Sequence, residues 1–385
     1  MRAKITSGFF ETYGKKAERF FFAPGRVNII GEHIDYNGGL VMPCALNLGS
    51  YVAAAKRDDK FIRLASITYK PMARASLDNL SLDKTHNWAN YPKAVALCIL
   101  EKGHTLSGFD MFLAGDLPRG AGLSSSASLC MAIAYSLNSM FELGLSLAEL
   151  AKTCQRAENK NGVNCGIMDP FASVACKKNH AILLDCARLE YSQVPLELGA
   201  WKIVIANTNK QRGLHESKYN ERRAECEQAL GDLKKVVQVS ELCGLSVEKF
   251  IAHKDAISNE AARRRAQHAV FENDRVKKAA EFAKLGKWNE FSKLLGESHA
   301  SLRDLYEVSC MELDSLVKHA YGFEGKFPIY GARMTGAGFG GCTVNIVNKE
   351  DIPSFCKYVR ESYKKDTGVK ASFYEVKPGD GAREI

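Results

Sequence analysis

From residue 20 to residue 143, short apolar runs of strand length alternate with segments whose apolar residues recur at helical spacing, and this alternation constrains the fold most. Phe20–Phe22 leads into an expected turn, Ala23-Pro24-Gly25, and then an extended stretch, Arg26–Ile30. Leu48–Lys56 and Phe61–Ile67 read as strands across the charged turn Arg57-Asp58-Asp59-Lys60. Trp88–Lys102 reads as a helix stopping near Gly103, and Phe109–Ala114 as a strand entering the loop Gly115–Gly122. Ser126–Leu143 is helical again, with Leu129, Ile133 and Leu137 on one side. After Pro195, near Gly199, the pattern changes: an apolar strand at Trp201–Ala206 precedes long amphipathic helices at Glu216–Val237 and Asn259–Leu285. Strands return at Cys342–Val347 and Ala371–Val376. With no internal repeat and no low-complexity linker, the expectation is an α+β chain of two packed domains, 1–198 and 199–385.

Bulk properties remove several classes of function. The N-terminal MRAKITSGFFETYGKK carries charge without an apolar core, so no secretory signal is expected. No apolar run reaches the length of a membrane span, and a cytoplasmic location follows as an expectation. The 12 cysteines are scattered, with neither a CxxC pair nor zinc spacing, and are expected to be buried free thiols. A net charge of +9 suits an anionic ligand such as a nucleotide. The densest basic run, Arg263-Arg264-Arg265, lacks aromatic platforms and is expected to be a solvated helix face, not a nucleic-acid site.

Three segments carry chemistry. The loop from Leu117 to Ala127 (LPRGAGLSSSA) lies between a strand and a helix. Gly120 and Gly122 permit close backbone approach, the following helix offers unpaired N–H groups, and three serines supply hydroxyls. That combination suits a polyphosphate, with a glycine turn and a capping serine as the equal alternative. It contains neither the Walker lysine nor GxSxG, which disfavours a P-loop NTPase and a serine hydrolase elbow. The second segment, Gly25 to Gly39 (GRVNIIGEHIDYNGG), crowds Glu32, His33 and Asp35 into a glycine-flanked turn, an inventory that suits a sugar. Metal binding is the rival reading, but the spacing is not HExxH. The third, Gly331 to Cys342 (GARMTGAGFGGC), contains GxGxxG yet runs into a strand instead of opening a helix, so it reads as a turn against the phosphate loop or the substrate.

Together these segments resemble the three signature motifs of the GHMP small-molecule kinases, the first in the form found in galactokinases. The similarity extends through Trp88-Ala89-Asn90-Tyr91, Cys165 to Asp169 and Ser217 to Arg223. The resemblance implies a two-domain GHMP kinase architecture with the active site between domains, and phosphorylation of galactose at its anomeric hydroxyl by Mg-ATP. It implies galactose contacts from Glu32, His33, Asp35, Gly166 and Tyr219. Gly120, Ala121, Gly122, Leu123, Ser124, Ser125 and Ser126 would wrap the phosphates, with Ser66, Trp88 and Tyr91 bordering adenine. Ser126 and Glu158 would hold Mg²⁺. Asp169 would accept the sugar proton beside Arg26, which favours the ionised carboxylate and offsets charge on the transferred group. No obligate protein partner is implied. Two details depart from the family pattern: Pro170 stands where many relatives carry glutamine, and Asn159–Asn164 is one residue short and lacks an aromatic. An N-acetylgalactosamine kinase and a non-catalytic sugar sensor are the neighbouring readings.

Overall fold

The computed structural model describes residues 1–83, 87–118, 120–162, 165–210 and 215–385. Arg119 of the glycine–serine loop, and Val163 and Asn164 of the short segment, lie outside the described residues. A six-stranded sheet has the spatial order Arg383–Glu384, Arg19–Asn28, Pro43–Lys56, Phe109–Gly115, Phe61–Ser66, Ala73–Ser76. Only Phe61–Ser66 and Phe109–Gly115 run parallel, the helix Asn90–Glu101 lying on the crossover between them. Because successive strand residues point to opposite faces, Val52 and Ala54 join the main core while Ala53 and Ala55 pack on Ile5 and Phe9 of the helix Arg2–Tyr13. The helices Ser125–Met140, Leu147–Lys160 and Met168–Ala175 cover the main-core face.

A four-stranded sheet orders Ala332–Thr335, Cys342–Asn348, Trp201–Asn207 and Ser372–Val376. Val204 and Ala206 on one face meet Phe355, Val359 and Tyr363, while Ile203 and Ile205 belong to the same core as Val52. Apolar packing is therefore continuous across Gly199, and the last residues return to the first sheet through Phe21↔Glu384. A small sheet of Leu40–Val41, His180–Asp185 and Glu190–Pro195 completes the α+β fold.

Two local expectations are corrected. Ala23-Pro24-Gly25 is not a turn: Arg19–Asn28 is one strand with a register shift between Pro24 and Arg26. A bulge absorbs the proline's missing N–H and re-aims the chain. Nor is the arginine run solvated throughout: Arg263 and Arg264 are partly exposed, but Arg265 is not. Arg265 is 2% exposed and bonds Glu225, Glu307 and the Leu305 carbonyl, while Arg263 pairs with Asp255 and Arg264 with Glu307. Carboxylates of other segments draw the side chains inward, and sequence spacing cannot register those partners. All twelve cysteines are free thiols. Among the described residues no helix is long and apolar enough to cross a membrane.

Candidate active site

The bulge at Gly25 brings the first strand against the glycine–serine loop: a Cβ there would sit 2.6 Å from the Leu123 carbonyl oxygen. Arg26 is thereby turned into a cleft of about 420 Å³ that the loop also lines. Its Nε and Nη2 donate to Asp169 Oδ1 and Oδ2 at 2.7 and 2.8 Å, and Nη1 donates to the Gly122 carbonyl at 2.8 Å. Such a bidentate pair fixes both planes as well as the charge. Asp169 occupies the first turn of Met168–Ala175, where the helix dipole favours a carboxylate. Pro170 follows it within the same turn, where no intrahelical N–H is required. Ser124, held at φ 56, donates its hydroxyl to Asp169 Oδ2.

The loop residues Gly120 to Ser126 all line the cleft beside the N-terminus of Ser125–Met140. Glu158, 2% exposed, bonds Ser126, and burial pushes its carboxyl pKa up to about 7. The turn containing Glu32, His33 and Asp35 lines the same cleft. Glu32 accepts from Asn28, Thr335 Oγ1 and Gly336 N, with Arg333 Nη2 3.5 Å away. Both ring nitrogens of His33 have partners, Tyr36 and the Ala337 carbonyl. Asp35 accepts from the backbone N–H groups of Tyr36 and Met168; burial, and then the charge of Asp169, raises its pKa from 3.8 to about 7. Gly166 leaves room for that carboxylate, since a Cβ would fall 1.6 Å from Asp35 Oδ2. Tyr219 closes the wall, its ring 5.6 Å from that of His33.

The cleft thus gathers Arg26, Glu32, His33, Asp35, Tyr91, Glu158, Gly166, Asp169, Tyr219 and the loop. Ser66 and Trp88 stand outside its lining: the Ser66 hydroxyl accepts from Thr68 N, and Trp88 stacks on Tyr69 at 6.1 Å. The third segment arrives as a hairpin turn, with Gly336 and Ala337 in the lining; a Cβ on Gly336 would meet the Gly122 carbonyl at 3.3 Å.

Family profiles match three parts of the chain: the galactokinase galactose-binding signature at 7–56, the GHMP kinase N-terminal domain at 90–177 and the GHMP kinase C-terminal domain at 279–365. A galactokinase of Clostridium beijerinckii is 48% identical over 99% of this chain and 98% of its own. One from Bacillus subtilis is 47% identical over 100% and 99%. The chain belongs to the galactokinase family. Its fold matches the Lactococcus lactis galactokinase complexed with galactose, at TM-score 0.96 with 40% identity over the full length of both chains. The Methanococcus jannaschii mevalonate kinase, 18% identical, shares the fold at TM-score 0.64 over 94% of this chain and 98% of its own.

Several groups behind this galactokinase-family cleft were not expected as site residues, although Arg333 lies within the third glycine-rich segment. Arg333, fully buried, donates to the carbonyls of Asn28 and Ile29, and Glu272 accepts from Gly31 N at 3.0 Å. His268 bonds the Glu32 carbonyl at 3.1 Å. These residues come from helices and strands hundreds of positions away, so no local pattern links them to the cleft.

The raised pKa of Asp35 gives a pH-dependent outcome. A carboxyl whose folded pKa exceeds its unfolded value holds more protons in the native state between the two. Its contribution therefore falls as pH rises from about 4 to about 7 and then levels off. Asp35→Asn should gain stability relative to wild type on passing from pH 5 to pH 8, by on the order of 2 kcal/mol. Urea unfolding of both proteins at the two pH values checks this. An unchanged difference would count against it.

Proposed function

We propose that the chain transfers the terminal phosphoryl group of ATP to the anomeric hydroxyl of galactose, giving galactose 1-phosphate and ADP. The observation that carries this reading is the Arg26–Asp169 pair, tied to the glycine–serine loop through the Gly122 carbonyl and Ser124. A sugar hydroxyl is a weak nucleophile. Held beside it, Asp169 takes its proton as the oxygen reaches phosphorus, and Arg26 faces the charge spreading over the transferred group. Since that transition state is loose, positioning and charge stabilisation outweigh early proton removal.

In this reading Glu32, His33, Asp35, Tyr219 and the Gly166 backbone bind the sugar, while Gly120 to Ser126 hold the phosphates and Tyr91, with Ser66 and Trp88 beyond, faces the base. Magnesium fits the donor set: a buried carboxylate on Glu158 already bonded to the Ser126 hydroxyl offers hard oxygen ligands at the loop. Among the described residues no cluster of three His, Cys, Asp or Glu exists; in this reading the ion is held mainly by phosphates and water. When bound, it neutralises β- and γ-phosphate charge. The units 1–198 and 199–385, with the last strand crossing back, and a cytoplasmic location complete the proposal.

A coupled ADP-release assay with galactose, glucose and N-acetylgalactosamine tests it. Galactose should be consumed fastest. Equal or better turnover of N-acetylgalactosamine overturns the substrate, and binding of galactose and ATP without ADP release overturns catalysis.

A further inference from the structure

We propose that Tyr306 is a positioning residue for the sugar-binding turn, acting through a one-way hydrogen-bond chain that holds His33 as its Nε2-protonated tautomer. Its kinetic consequence rests on the function proposed above; the chain itself rests on distances and donor chemistry.

His33 Nε2 lies 3.2 Å from the Ala337 carbonyl, which can only accept, so Nε2 carries the proton. Burial, reinforced by neighbouring His268, pushes the His33 pKa down to about 3, leaving the ring neutral and Nδ1 an acceptor. Tyr36, 2.8 Å away, must donate to it. A phenol has one proton, so at the 2.8 Å contact between the two tyrosine oxygens Tyr306 donates to Tyr36. With its proton committed, Tyr306 accepts from the Cys226 thiol at 3.2 Å, and that sulfur receives Asn37 Nδ2 at 3.7 Å. Every direction follows from one carbonyl.

The chain joins three parts of the fold to the turn. Cys226 sits on the helix His215–Leu233, Tyr306 follows the helix Trp288–Asp304, and Ala337 is in the glycine-rich hairpin. Asn37 returns to the start by donating to the His33 carbonyl at 2.9 Å. Such bracing is needed, because His33 has φ 63, a left-handed conformation that is strained for a non-glycine residue. Tyr306 is itself fully buried and clamped from behind, Arg265 donating to Leu305 O and pairing with Glu307. The arginine run thus supports the site at one remove. With both ring nitrogens engaged by protein, the His33 ring is held in one orientation at the cleft wall.

Two measurements test this. In protein carrying ¹⁵N-labelled histidine, with the signal assigned by His33→Gln, long-range ¹H–¹⁵N spectra of the ligand-free enzyme at pH 7 should show His33 protonated on Nε2 alone. Protonation on Nδ1, or on both nitrogens, overturns the chain. Tyr306→Phe removes only the hydroxyl and should raise the galactose KM about 5–30-fold with the ATP KM within about twofold. A galactose KM unchanged within twofold, or an equal rise in both KM values, overturns the positioning role. Should that variant not fold, the spectrum of the wild type decides alone. A wild type that does not turn over galactose sinks the functional reading and leaves the tautomer measurement standing.

Discussion

Asp169→Asn is expected to lower turnover by about 10²–10⁴ while galactose affinity changes by less than about tenfold. The amide keeps the size of the carboxylate but has one acceptor where Arg26 and Ser124 now direct three donors. Proton acceptance is lost, and the buried guanidinium of Arg26, 5% exposed, loses half of its bidentate partner. Glu32 keeps its bonds from Thr335 and Gly336 and Asp35 its backbone N–H partners whatever stands at 169, so binding should largely survive. Stopped-flow turnover and calorimetric titration with galactose separate the two effects. A rate within about threefold of wild type would remove Asp169 from the chemistry. Equal losses of rate and affinity would assign it to binding.

Gly166→Ala should raise the galactose KM about 10–100-fold and leave the ATP KM within about threefold. The added Cβ would fall 1.6 Å from Asp35 Oδ2 and 2.3 Å from its Cγ, so the carboxyl must swing away and give up the Met168 N–H. Gly231→Ala is the control: its site is open and lies within the helix His215–Leu233, where alanine is the better helix former. A Gly166→Ala enzyme with normal galactose kinetics would show that Asp35 does not contact the sugar.

Local chemistry made much of this site legible. The glycines and serines from 120 to 126 suit the proposed anion cradle because backbone approach and a helix N-terminus are met within a few residues. The turn at Glu32, His33 and Asp35 shows in the same way, by the density of polar groups between glycines. The longest helix, Glu260–Lys284, lies within a residue of its expected bounds, while His215–Leu233 stops four residues before the expected Val237. Where meaning depended on a distant partner, sequence was silent or misleading. Pro24 signals a turn until its strand neighbour allows a bulge, and Arg265 signals solvent until Glu225 and Glu307 fold over it.

The order of residues by itself determined the class of fold, the family and the groups able to do chemistry, because hydrophobic period, backbone freedom and functional-group inventory are local properties. Tertiary structure alone decided which groups meet: Arg26 with Asp169 across 143 positions, Glu32 with Gly336 across 304, and His33 with Ala337 across 304. Hydrogen bonds act over about 3 Å whatever the separation along the chain, so contact and direction exist only once the core has closed.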